Sequence, residues 1–234
     1  MRQIVAEVRK VAVFDIDGTI FRSSLLIELI ERLIEKGHFP KNSRAAYEKE
    51  ETEWLDRKGD YEAYINRVVE VFAKQIKGLP YDEVAYIAGE VIEAKKNRVY
   101  RFTRDLIEEL KSKGYYLLAI SHSPRFIADG FGYEMGFDKV YGSFYASGPN
   151  DQFTGEIEDK EIIFNKNAVL QRAIRKENLT LEGSVGVGDT ESDIPMLEMV
   201  ERPIAFNPNA KLYKHAKIRQ WEVVVERKDV IYRC

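Results

Sequence analysis

The period of hydrophobic and polar positions changes along the chain, and each change marks an element. Residues 11–16 open with four apolar or aromatic residues that run straight into a carboxylate. Such a run reads as a short strand buried on both faces, inside a parallel sheet. From Ser23 the spacing becomes helical: Leu25, Leu26, Leu29, Ile30, Leu33 and Ile34 share one face, Ser23 or Ser24 serves as N-cap, and Gly37 closes the run. Three more helical stretches follow. Residues 43–58 are highly charged and stop at Gly59. Residues 60–77 carry Tyr61, Tyr64, Ile65, Val68, Val69, Phe72 and Ile76 and stop at Gly78. Residues 80–96 carry Val84, Ile87, Ala88, Val91 and Ile92.

Roughly 75 consecutive residues are thus helical by pattern, between the first strand and the next strand-like segment. An ordinary connection from strand to helix takes about 2–6 residues. The insertion is therefore a small helical bundle in its own right. Alternation of helix and strand resumes afterwards. The pattern predicts helices over 103–113, 124–134, 161–177, 192–200 and 209–217. It predicts strands over 115–120, 140–141, 153–157, 185–187, 203–206 and 221–226. This order implies an α/β fold with a doubly wound, mostly parallel sheet.

Candidate chemistry gathers at two predicted strand ends. Asp15 and Asp17 stand two apart at the mouth of the first strand, with Gly18 and Thr19 next. Open α/β sheets bind ligands at the carboxyl ends of their strands. Taken alone, the pair fits a strand-end Asx turn equally well. A second cluster tips the balance: residues 184–188 form another apolar strand, followed by Asp189 and, four residues later, Asp193. Hard cations such as Mg²⁺ take oxygen ligands, commonly one or two carboxylates with waters and a substrate phosphate. Two strand ends aiming aspartates into one crevice make such a site.

These motifs resemble the haloacid dehalogenase superfamily. Asp15-Ile16-Asp17-Gly18-Thr19, Ser121, Lys166 and Gly188-Asp189-Thr190-Glu191-Ser192-Asp193 are similar, in order, to its four motifs. The runs at 120–124, 153–157 and 193–197 resemble the phosphoserine-phosphatase-like branch. The resemblance spans roughly residues 10–20 and 97–210 and is weak over 21–96. It implies a core of 1–20 with 97–234 and a helical cap of type C1 at 21–96, which closes over the crevice and sets the substrate. It implies Asp15 as nucleophile, forming an aspartyl-phosphate, and Asp17 as general acid and base with its backbone carbonyl on the metal. Asp15, Asp17, Asp189 and Asp193 would hold Mg²⁺, with Asp193 acting directly, through water, or by holding Lys166. Lys166 sits on a partly apolar helix, where a lysine needs a partner; the aspartates or the phosphoryl group would supply one.

Ser121 would offer its hydroxyl to a phosphate oxygen, and Gly18 and Thr19 their backbone N–H groups. His122 reads as a pocket-wall residue. Arg22, Arg44, Arg57 and Arg67 lie in the insertion, and one of them could bind a substrate carboxylate or a second phosphate. In phosphoserine phosphatases an acidic residue shortly after the first motif holds the substrate amine. Ser24 stands at that place here, and Glu28 is the nearest acid.

Composition adds bounds. Length 234 suits one α/β domain, or a core with an insertion. With 44% hydrophobic and 32% charged residues the chain is a folded globule, and a net charge of −3 gives no general pull toward nucleic acid or an anionic membrane. The single cysteine, Cys234, excludes an internal disulfide and fits a reducing cytoplasm. The first ten residues carry four charges and no long apolar run, so neither a signal peptide nor a membrane span is expected. The expected partner is a small phosphorylated metabolite; the sequence carries no indication of oligomeric state. The leading expectation is a Mg²⁺-dependent phosphatase for a small phosphomonoester, phosphoserine among the candidates. A phosphotransferase or mutase using the same phospho-aspartate is the alternative. A glycosyltransferase built on a paired-aspartate motif is a weaker rival, since it leaves Lys166 and the 188–193 cluster unexplained.

Overall fold

A computed structural model describes residues 8–158 and 165–234. Eight strands form one sheet in the order β4-β3-β2-β1-β5-β6-β7-β8. They are β1 (Arg9–Phe14), β2 (Tyr116–Pro124), β3 (Lys139–Ser147), β4 (Phe153–Glu158), β5 (Leu179–Gly188), β6 (Arg202–Phe206), β7 (Glu222–Arg227) and β8 (Val230–Arg233). The six strands β1, β2, β3, β5, β6 and β7 pair in parallel; β4 and β8 are antiparallel edges. This is the doubly wound α/β architecture expected from the pattern.

The central strand explains itself. Val11, Ala12, Val13 and Phe14 are all fully buried. Alternation sends Ala12 and Phe14 to one face and Val11 and Val13 to the other. Val11, Val13 and Phe14 each contribute about 1.5–3 kcal/mol by leaving water. The Val11 face is covered by α7 (Lys166–Glu177), α8 (Ile194–Leu197) and α9 (Ala210–Arg219). The Phe14 face is covered by α5 (Arg101–Ser112), α6 (Arg125–Glu134) and the insertion.

The insertion holds α1 (Leu25–Glu35), a 3-10 turn at Ser43–Ala46, α2 (Glu48–Leu55), α3 (Tyr61–Ile76) and α4 (Tyr81–Lys95). Its apolar face belongs to the same hydrophobic cluster as Phe14 and Val187, so no seam of polar residues parts it from the sheet. It leaves and rejoins the core at one neck, where Arg22 N–H donates to the Arg98 carbonyl and Tyr100 N–H to the Ile20 carbonyl, both at 2.9 Å. A second tie lies at the α3–α4 turn: Gly78 N–H donates to the Phe153 carbonyl at 2.8 Å, and Phe153 N–H returns a bond to Leu79 at 2.9 Å. Gly155 lets β4 approach this closely. Its φ is +85°, and a Cβ there would stand 2.7 Å from the Ala73 carbonyl oxygen.

Several predicted elements change. The charged helix over 43–58 divides into the 3-10 turn and α2. The strand predicted at 140–141 lengthens into β3, whose first part pairs in parallel with β2 and whose residues 144–147 pair antiparallel with β4, the strand predicted at 153–157. β5 starts at Leu179 and passes a register shift before meeting its central run. The helix expected over 192–200 contracts to α8, because the Asp193 carboxylate accepts from the Asp189 and Thr190 N–H groups and winds Glu191–Asp193 into a 3-10 turn. β8 had no counterpart in the pattern. The predicted helix start at 161–164, Phe164 included, lies outside the described residues, as do residues 1–7.

Candidate active site

The carboxyl ends of β1, β2 and β5 meet the N-termini of α1 and α7 beneath α3. Asp15 follows β1 directly, and its N–H donates to the Val187 carbonyl at 3.0 Å, which locks the strand end against β5. Lys166, first residue of α7, reaches between two carboxylates. Its Nζ donates to Asp15 Oδ1 and to Asp193 Oδ1, both at 2.6 Å. The lysine is 1% exposed and Asp193 not at all. Burial opposes the charge on Lys166, but the two carboxylates override it and hold its pKa above the usual lysine range.

Asp193 spends both oxygens within the protein: one meets Lys166, the other the two N–H groups of its own turn. Asp189 takes a hydrogen bond from the Thr19 hydroxyl at 3.2 Å. Oxygens of Asp15, Asp189 and Asp193 all lie within 4.8 Å of one another. Burial, then the neighbouring negative charges of Asp15 and Asp193, raises the Asp189 pKa well above the carboxylate range. Burial likewise pushes Asp15 to about 7, against the pull of Lys166. Three carboxylates against one ammonium are an excess of acidic groups at the floor of the cavity, Asp15 and Asp193 buried and Asp189 partly exposed. An oxygen-lined, anionic cradle of this size fits a hard divalent cation such as Mg²⁺.

Asp17 stands apart from this cradle by its side chain. Its Oδ1 accepts from the Leu25 N–H at 2.6 Å and so caps α1; its Oδ2 accepts from the Ser121 and Ser123 hydroxyls, both at 2.8 Å. Burial raises its pKa despite these donors. Gly18 has φ +81°, and any Cβ there would collide with the Asp189 carboxylate. Only glycine permits both the turn and the approach of the two strand ends.

Of the residues singled out by sequence, Asp15, Asp17, Lys166, Asp189, Asp193, Ser121 and His122 converge. Three details differ from expectation. The Ser121 hydroxyl donates to Asp17, since a buried carboxylate is the nearest acceptor. The N–H groups expected to face a phosphate are used within the turn: Gly18 donates to the Phe21 and Ser23 carbonyls, and Thr19 to Ile16. Arg22 points elsewhere: it is exposed, with its guanidinium 5.6 Å from the centre of the Tyr100 ring.

The open space over Asp15 is a cavity of about 290 Å³. Its roof and wall include Leu26, Tyr61, Ile65 and Val69, none of which sequence reasoning assigned to a site. Their only signal was helical spacing, which marks core and cavity wall alike. Ser123 was also missed, although it sits two residues beyond Ser121 on the same strand. His122 lines the cavity; burial holds its ring neutral, with a pKa down at about 3. Among the other arginines of the insertion, Arg44 pairs with Glu51 and Glu31, and Arg67 with Glu70. Arg57 lines an adjoining groove with Arg22. Glu28 is taken by Arg98 and Lys95.

Fold and site together define an α/β enzyme whose reactive groups collect at three parallel strand ends under a helical roof. The family model for haloacid dehalogenase-like hydrolases matches residues 12–198. The chain belongs to that family. Among its relatives, a histidinol-phosphatase from Neisseria meningitidis is 24% identical over 222 residues, covering 92% of this chain and 98% of that one. A phosphoserine phosphatase from Archaeoglobus fulgidus is 24% identical over 200 residues, covering 85% of this chain; the match spans about half, 53%, of the archaeal protein. A solved phosphoserine phosphatase, described as a phospho-aspartyl intermediate analogue, superimposes with a TM-score of 0.64 at 21% identity, over 95% of this chain and 96% of the other. It shares the fold.

Proposed function

We propose that this protein is a Mg²⁺-dependent phosphomonoesterase that forms an aspartyl-phosphate on Asp15. The observation that carries this reading is the Lys166 ammonium held 2.6 Å from both Asp15 and Asp193, with Asp189 completing the cluster. Lys166, itself held by Asp193, fixes one oxygen of Asp15 and leaves the other for attack. That oxygen bonds to phosphorus as the ester P–O bond breaks. Asp17, whose raised pKa favours a bound proton, passes it to the departing alkoxide. It then takes a proton from the water that attacks the phospho-aspartate, releasing phosphate and restoring Asp15. Ser121 and Ser123 orient Asp17 throughout.

Asp15 and Asp189 would hold the metal ion, with Asp193 shaping the loop that carries Asp189. A bound divalent cation supplies the positive charge that lets a phosphoryl dianion settle among these carboxylates. The phosphoserine phosphatase and histidinol-phosphatase among the relatives support the phosphomonoester class.

The test is phosphate release from p-nitrophenyl phosphate with Mg²⁺, with chelator, and with Asp15→Asn. We expect turnover that falls at least ~10³-fold in chelator and in the variant, with unchanged far-UV circular dichroism. Undiminished release from Asp15→Asn would exclude the aspartyl-phosphate route.

A further inference from the structure

The cavity above Asp15 has an unusual charge balance. No lysine or arginine lines it among the described residues. His122 contributes a ring kept neutral by burial. The mouth carries Glu62 and Glu191, and Lys211 outside it is shared between them, at 3.2 and 2.6 Å. Two carboxylates on one ammonium leave the mouth net negative. Part of the lining is apolar: Leu26 from α1 with Ile65 and Val69 from α3, and Tyr61, with Asn66 the polar side chain among them. Ser24 adds only a neutral, buried hydroxyl to the lining.

A leaving group with a carboxylate would bury an anion against apolar side chains, beside five acidic ones, with no lysine or arginine in the cavity lining among the described residues to meet it. Arg22 and Arg57 do not answer that need. They line the adjoining groove, which shares Ser24, Tyr61, Asp189, Thr190 and Asn209 with the cavity but reaches neither Asp15 nor Asp17. We infer that the substrate is a phosphomonoester of a carboxylate-free alcohol with an apolar or aromatic body, seated against Leu26, Ile65 and Val69. This specificity rests on the phosphatase reading and goes beyond it. A cavity of about 290 Å³ is at the small end of ligand sites, which suits a phosphoryl group with one compact ring or branched chain.

The experiment measures kcat/KM of the full chain with Mg²⁺ on three esters. L-Phosphoserine and phosphoethanolamine differ only by the carboxylate; 2-phenylethyl phosphate carries an aromatic body and no charge beyond the phosphate. p-Nitrophenyl phosphate, with Asp15→Asn as control, reports separately on the chemistry. We expect 2-phenylethyl phosphate to exceed phosphoserine by roughly 100-fold, with phosphoethanolamine between. Ile65→Arg should narrow the gap at least ~10-fold by giving a carboxylate a partner. Ile65→Ala, a milder change, should depress 2-phenylethyl phosphate more than phosphoserine. A preference for phosphoserine while p-nitrophenyl phosphate is still cleaved through Asp15 overturns the inference and leaves the phosphatase intact. No cleavage of any ester overturns both.

Discussion

The floor and the roof of the cavity are built on opposite principles. The floor consists of strand ends whose polar groups answer one another: Lys166 with Asp15 and Asp193, Asp17 with Ser121, Ser123 and the Leu25 N–H. Each position there is specified several times over, by backbone and by charge. The roof is made of apolar and aromatic side chains on α1, α2 and α3, where Trp54, Tyr61 and Tyr64 cluster with ring centroids 5.4 to 6.1 Å apart, Trp54 stacked on Tyr64 and Tyr61 tilted or edge-on to both. Its polar groups pair at the surface. The contrast assigns chemistry to the floor and selection to the roof. A network of buried charges tolerates little change, whereas an apolar wall can be resurfaced at modest cost.

The largest expected effect comes from the floor. Lys166→Met keeps the volume but strands Asp15 and Asp193 without their cation, at a cost of about 3–5 kcal/mol. The urea midpoint should fall accordingly and turnover of p-nitrophenyl phosphate should vanish. Retention of both would mean that the lysine is dispensable and the contrast wrong.

A change in the roof should act differently. Trp54→Ala removes the ring stacked on Tyr64 and should cost about 1–2 kcal/mol in thermal or urea unfolding. Cleavage of a small ester such as methyl phosphate should change by less than about threefold, because nothing on the floor moves. A loss as severe as that from Lys166→Met would show that roof and floor act as one unit.

The smallest effect concerns the border between them. His122 has a folded pKa of about 3, below the 6.5 of an unconstrained histidine. Below pH 6.5 the unfolded chain therefore binds a proton that the folded chain refuses, and stability is lost as pH falls from about 6.5 toward 3. His122→Asn lacks that group. Its stability should fall less steeply, by about 1 kcal/mol at pH 5.5, in urea titrations of the two proteins. Parallel curves would place the ring in contact with water.

The same division governs what could be read in the chain. Strands buried on both faces read as unbroken apolar runs, so β1, β2 and the central part of β5 were legible, and with them the aspartates at their ends. Lys166 was one helical lysine among many, and only its apolar neighbours Val169, Leu170 and Ile174 together with the family resemblance set it apart. The roof did not stand out, because Ile65 and Val69 recur at the spacing of any buried helix. Which neighbour they face depends on how α3 sits over the sheet, and no local pattern encodes that. β8 was hidden for another reason: its hairpin turns at Lys228, with φ +55°, where no glycine marks the turn. The partners of Ser121 and Gly18 were illegible too, since hydroxyl and N–H groups declare their presence in a sequence but not their acceptors.

Among the described residues, backbone hydrogen bonds tie the insertion to the core at two places, the neck where residues 20–22 meet residues 98–100 and the tie between Gly78–Leu79 and Phe153, while apolar packing and the Glu62–Lys211 pair close the rest. Once that side-chain packing parts, a rigid body still pinned at the two backbone ties keeps a single degree of freedom, rotation about the line that joins them. Any excursion of α3 away from Asp15 is then a swing on that axle rather than a slide. Ile65, Val69 and Tyr61 would travel together along arcs set by their distance from it, so the width of the opening and the loss of apolar contact would be one variable, not two.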